Sequence, residues 1–266
     1  MSTSYDLVIR GGTLVTHDGI GPGDVGVRDG RIVEVGQLRG ADGGEVIDAT
    51  GLHVLPGIID TQVHFREPGN EHKEDLESGT RAAVMGGVTA VFEMPNTNPL
   101  TTTEDALNDK LARADGRAWS DYAFYVGATT DNAESLRELE TLPGCCGIKI
   151  FMGSSTGSLL VPDDDSLRRV LESCRRRVAV HAEDEERLKA RSHIAAEGAH
   201  PRAHPDWRDV ETAFNATRRL ISLAEELRRR VHVLHVTTAD EAAYLAEHKD
   251  VASVEVTPQH LTLEAP

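Results

Sequence analysis

The chain has 266 residues, 39% of them hydrophobic and 27% charged, with a formal net charge of -16; the mix suits a soluble globular protein of one large or two small domains. The acidic excess argues against nucleic acid or an anionic membrane surface as partner, but not against a small anionic substrate, because one nearby arginine outweighs a distant field. No apolar run is long enough to span a bilayer, no secretory signal opens the chain, and the three cysteines Cys145, Cys146 and Cys174, odd in number and without framed spacing, fit a reducing cytosol and a cytoplasmic location.

Residues 5–55 read as short strands. Tyr5–Arg10 leads to a Gly11-Gly12 turn. Residues 26–36 form a hairpin with Asp29-Gly30 at its turn, since both central positions of a tight hairpin turn need φ > 0. Val46–Asp48 and Leu52–Leu55 add strand. Such a β subdomain is too short to close a core alone.

From residue 56 the pattern alternates between strand and helix. Strands are expected at Gly57–His64, Thr89–Met94, Tyr122–Gly127, Gly147–Met152, Val178–His181, Val231–Val236 and Ala252–Val256. Their short apolar runs suit a parallel sheet buried on both faces. Thr101 and Glu104 have capping-box spacing before a helix over Ala106–Ala114. Asp163–Cys174, Trp207–Arg230 and Ala239–His248 show helical apolar spacing. Repeated βα units give either a doubly wound sheet or a (β/α)8 barrel. The polar residues favour the barrel, because several stand at strand C-terminal ends, which converge on one face there. Seven of the eight strand–helix units are present.

The chemistry concentrates at those ends. By the two-residue period of a strand, Asp60, Gln62, His64 and Arg66 project together from the first, a set able to hold a metal and an anion side by side. Lys149 stands inside an apolar strand, and a buried ammonium without a partner is costly. His181 ends another strand, and His235 the next, sharing a face with Val231 and Val233 while His232 points away. Each histidine alone reads more readily as a hydrogen-bonded core residue. Together, His64, Lys149, His181 and His235 occur at the same end of parallel strands, which chance does not readily produce. His232 is read as a core residue, and His72, His193, His200, His204 and His248 as loop or helix residues. A lysine among metal ligands makes sense as a carbamate. Burial favours the neutral amine, which adds carbon dioxide to give an anion that can bridge two cations. Metals there would bring a bound water to a pKa of roughly 7 and polarise a carbonyl, which suits amide hydrolysis.

His64–Gly69, Glu93–Thr97 and Lys149–Met152 resemble segments of the dihydroorotases, cyclic amidohydrolases of the amidohydrolase superfamily. The resemblance covers nearly the whole chain. It implies a zinc-dependent barrel over residues 56–266, lacking its last unit, beside the N-terminal part of a small β-sandwich over residues 1–55. It implies interconversion of dihydroorotate and N-carbamoyl-aspartate in pyrimidine synthesis, and a homodimer at full length. One or two zinc ions would sit on His64, Lys149, His181 and His235, with Gln62 and Asp60 as further candidates and Lys149 as carbamylated bridge. Arg66 and Asn96 would hold the substrate carboxylate, for which the planar fork of Arg66 is suited; the other reading of Asn96 is a turn residue after Pro95. Allantoinases tend to carry Asn where Arg66 stands, and dihydropyrimidinases also lack the arginine.

Two departures from the pattern stand out. Gln62 replaces the first histidine of His-x-His, and its amide oxygen is a weaker zinc ligand than imidazole. A mononuclear site on Lys149, His181 and His235 is therefore an alternative. The family's acid–base aspartate, at the end of an eighth strand, is not found before Pro266, so a fragment of low stability and activity is expected. Rival functions are hydrolysis of a hydantoin, dihydropyrimidine or allantoin, and a silent subunit supporting a partner enzyme. The loop 153–157 reads equally as a cover over substrate or a flexible connection, Glu183–Glu186 as a helix N-terminus, and His200–Pro205 as a rigid loop over the barrel mouth.

Overall fold

A computed structural model describes residues 5–38, 43–154 and 159–263. The chain divides into two compact units, Met1–Ile58 and Ile59–Pro266. The first holds a mixed sheet of five strands, β1 (Tyr5–Thr16), β2 (Gly19–Arg28), β3 (Arg31–Gly36), β4 (Gly43–Asp48) and β5 (His53–Val54). Asp29 and Gly30 adopt φ of 51° and 69° between β2 and β3, the left-handed pair of a tight hairpin turn. The expected turn at Gly11-Gly12 is instead a bulge. β1 runs through it with a register shift against β2 between Ile9 and Gly12, and Gly11 takes φ 73°. A glycine there lets the strand kink without ending.

The second unit holds a seven-stranded parallel sheet in the order β12-β11-β10-β9-β8-β7-β6. These are β6 (Ile58–Val63), β7 (Val88–Glu93), β8 (Asp121–Gly127), β9 (Cys145–Phe151), β10 (Val178–His181), β11 (Val231–Val233) and β12 (Ala252–Val254). Helices separate them, among them α1 (Leu76–Met85), α2 (Glu104–Ala114), α3 (Leu136–Leu139), α4 (Asp164–Ser173), α5 (Glu185–Ala190), α6 (His204–Trp207), α7 (Val210–Leu227) and α8 (Ala239–Ala246). A further short helix, α9 (Pro258–Thr262), follows β12. This is a curled α/β half-barrel, seven strands of a (β/α)8 architecture. Near its open edges, Thr61 of β6 donates to Glu255, just past β12, at 2.9 Å.

Alternation along the strands sorts side chains into two layers. Val91, Phe124, Ile148, Ile150, Val180, Val231 and Val233 pack with Leu107, Leu167 and Leu220 of the helices. Met94, Tyr125, Ala179 and Leu234 form a second cluster. Lys149 pairs with Ala179 across β9 and β10 and so belongs to the second face.

Helix starts differ from expectation in two places. Thr103, not Thr101, caps α2, accepting from the Ala106 N–H at 3.2 Å; Thr101 is buried, its N–H given to the Pro95 carbonyl. The expected helix over Trp207–Arg230 is broken at Arg208, and α7 starts after an Asp209 cap. The helix α1, capped by Asp75, had no strong apolar period to announce it. Among the described residues no helix is long and apolar enough to cross a membrane.

Candidate active site

Lys149 is fully buried, 1% exposed, and its amine has no hydrogen-bond partner. It lies 4.3 Å from the centre of the Phe151 ring. Burial drives its pKa well below the ordinary lysine value, opposed only by the charge of Glu255. Burial therefore favours the neutral, nucleophilic form of the amine.

Beside it, His181 Nδ1 and His235 Nε2 approach to 3.0 Å, with the rings edge to face. Two imidazoles on a tetrahedral zinc place their nitrogens ~3.3 Å apart, given bonds of about 2.0–2.1 Å. The pair thus fits a shared metal after a shift of a few tenths of an ångström. His235 reaches this position by an unexpected route. Val231 and Val233 face the helices and Leu234 the other layer, and His235 does not share the face of the two valines, contrary to expectation. Continued alternation would send His235 out with Val233. The strand ends at Val233 instead, and His235 takes φ 39°, which turns the ring toward His181. A left-handed backbone at a non-glycine residue is uncommon and clusters at functional positions.

On the first strand, His64 Nδ1 lies 2.8 Å from Asn96 Oδ1. An amide oxygen only accepts, so His64 Nδ1 carries the hydrogen and its Nε2 the lone pair. Burial, then the charge of Arg66, lowers the His64 pKa to about 4; burial, then His181, lowers that of His235 to about 3. Burial also lowers that of His181. A charge on Lys149 would act on all three histidines, so its amine lies within electrostatic reach of each. All three imidazoles are neutral at pH 7, the state that binds metal.

The four-residue face expected on the first strand is only partly realised. Asp60 is exposed and accepts from the Gln62 N–H at 3.0 Å. Gln62 buries an amide oxygen that has no partner. Arg66 lies beyond the end of β6 with φ 68°, so strand alternation does not set its direction. Among the described residues no three His, Cys, Asp or Glu side chains are grouped to hold a metal ion. A metal held by His181 and His235 would need a further ligand of another kind, for which Lys149 is the candidate. Lys149 Nζ and Gln62 Oε1 are buried polar atoms without hydrogen-bond partners, a state compatible with binding a further group.

Other histidines and the cysteines have different roles. His232 bonds to Ser253 at 2.8 Å and Glu255 at 3.1 Å. Burial pushes the Cys145 and Cys146 thiols up, away from thiolate chemistry, although Cys146 is half-buried. His204, Pro205 and Arg208 line a cavity of about 520 Å3 with His181, His235 and His260. Loop residues 155–157 lie outside the described residues; Ser154 donates to Glu185 through its N–H at 2.7 Å and its hydroxyl at 2.8 Å.

Sequence reasoning passed over Glu183 by assigning it to a helix N-terminus. The cap is Asp184, and Glu183 accepts from His181 Nε2 at 2.6 Å. The signal was present: Ala179, His181 and Glu183 are spaced two apart. Arg208 also bonds Glu183, from an irregular segment with no periodic pattern.

Neutral histidines and a buried amine thus stand at the strand ends of an α/β half-barrel. The chain belongs to the amidohydrolase family, whose model matches residues 53–263. It is similar to an allantoinase of Deinococcus radiodurans, 32% identical over 97% of this chain and 60% of that protein. It is also similar to a dihydroorotase of Thermococcus kodakarensis, 34% identical over 97% of this chain and 58% of that protein. Among solved structures, the L-hydantoinase (dihydropyrimidinase) of Arthrobacter aurescens superposes with a TM-score of 0.90 at 28% identity, covering 97% of this chain and 60% of that one. The chain thus spans about 60% of the length of these relatives.

Proposed function

We propose that the chain carries the metal-binding and substrate-orienting part of a zinc-dependent cyclic amidohydrolase of dihydroorotase type. The observation that carries this reading is the buried, unpartnered Lys149 amine beside the His181–His235 pair. Its neutral lone pair would attack carbon dioxide, an N–C bond forming as one C=O π pair moves to oxygen and a nitrogen proton passes to water, which gives an anionic carbamate. That carbamate, His181 and His235 would hold one zinc; the carbamate, His64 and Gln62 would hold a second. Zinc, when bound, supplies Lewis-acid polarisation of the ring amide and acidifies the attacking water.

The chain's own residues set orientation. His64 Nδ1–H is held by Asn96, and Arg66 acts electrostatically on the same ring. This influence supports a guanidinium near the strand-end cluster, where it would suit a substrate that bears a carboxylate. Dihydroorotate bears one on its ring, which is the reason for preferring it.

A second reading, hydrolysis of another cyclic amide, is supported by the relatives named allantoinase and hydantoinase. Turnover of dihydroorotate, allantoin and dihydrouracil separates the two. The expected result is a preference for dihydroorotate. Arg66→Met should raise its KM on the order of 10–100-fold, through loss of a charge-assisted bidentate contact, with kcat changed less. An unchanged KM removes Arg66 from the site, and preference for allantoin or dihydrouracil selects the second reading.

A further inference from the structure

His181 is bonded at both nitrogens. Nδ1 faces His235 Nε2 at 3.0 Å, and Nε2 lies 2.6 Å from a Glu183 carboxylate oxygen. The carboxylate is also bonded by Arg208, whose other terminal nitrogen donates to the Ser154 carbonyl at 2.8 Å. These side chains are shielded, with exposures of 11% for His181, 14% for Glu183 and 16% for Arg208. Gly153 fits against the cluster: a Cβ there would meet the Glu183 Cβ and carbonyl oxygen at 2.8 Å.

An ionised carboxylate only accepts hydrogen bonds. With Arg208 keeping it ionised, His181 is left one neutral form, hydrogen on Nε2 and lone pair on Nδ1. Nδ1 is the nitrogen that faces His235. The other tautomer would set a lone pair against a carboxylate and withdraw Nδ1 from any ligand role.

We propose that Glu183, clamped by Arg208, is a positioning residue that locks His181 as the Nε2–H tautomer and so makes Nδ1 its metal-binding atom. The same clamp joins the segment after the lysine strand β9 to the segment after the histidine strand β10, and so holds Lys149 and His181 in mutual register. This rests on the metal-site reading above, but the tautomer is defined without any metal.

Two readouts on the whole chain test it. Nitrogen-15 NMR of metal-free protein at neutral pH reports the protonated nitrogen of His181. The expectation is hydrogen on Nε2 in the parent chain, with an Nδ1–H population emerging in Glu183→Ala. Zinc affinity from chelator competition should fall on the order of 10–100-fold in Glu183→Ala, and by a smaller factor in Arg208→Gln, with circular dichroism verifying the fold. Hydrogen on Nδ1, or on both nitrogens, in the parent chain overturns the proposal without any variant. So does a folded Glu183→Ala with parental tautomer and zinc affinity, while a parental Arg208→Gln overturns the clamp. If the parent chain binds zinc no better than Lys149→Ala, the metal-site reading fails separately, and the NMR result still decides the tautomer.

Discussion

At His235 and Arg66 the backbone leaves the strand region, with φ of 39° and 68°, and these are the residues whose directions strand counting could not supply. Lys149 and His181 were legible, because both lie within strands whose apolar neighbours fix the opposite face. Glu183 was legible by the same period and was masked by the acidic run that follows it. Burial of neutral imidazoles carries a pH signature. His64 takes its proton at about 4 and His235 at about 3, against an ordinary 6.5. The unfolded chain therefore binds more protons than the folded one as pH falls below 6.5, and stability is lost from there down to about 4 and then 3. The thermal midpoint of metal-free protein should drop as pH falls across that window. His235→Asn should flatten the drop. A midpoint independent of pH between 6.5 and 4 would contradict the buried neutral state.

Among the elements, the seven parallel strands were readable from short apolar runs, each end within three residues and several without offset. Helix starts were less so, because Ser, Thr and Asp are frequent before every helix and only tertiary contacts select the cap. Thr101 loses to Thr103 because its N–H is already given to Pro95 and its side chain is buried against Thr97. The bulge at Gly11 was unreadable for a related reason: a glycine pair serves a turn or a kinked strand equally well. The contact between the segments after β9 and β10 gives an element-level prediction. Gly153→Ala would put a methyl group 2.8 Å from Glu183 and within 3.0 Å of Leu188, so the carboxylate must move from His181. Zinc affinity should fall several-fold while the far-UV circular dichroism is kept. Parental affinity in this variant would show that the two segments move independently of the site.

At the scale of the whole molecule, the barrel was legible from polar residues at the C-terminal ends of several strands. The approach of its two edges was not, because Thr61 and Glu255 are 194 residues apart and each is unremarkable alone. In the proposed function Lys149, through its neutral amine, completes a zinc site with His181 and His235. This role is tested most directly by zinc bound per chain, measured with and without bicarbonate, in the parent chain and Lys149→Ala. The account predicts at least stoichiometric zinc in the parent chain, weaker binding when carbon dioxide is stripped, and loss of both binding and bicarbonate dependence in the variant. Zinc absent from the parent chain, or retained unchanged in Lys149→Ala, would contradict it and leave a scaffold without metal chemistry.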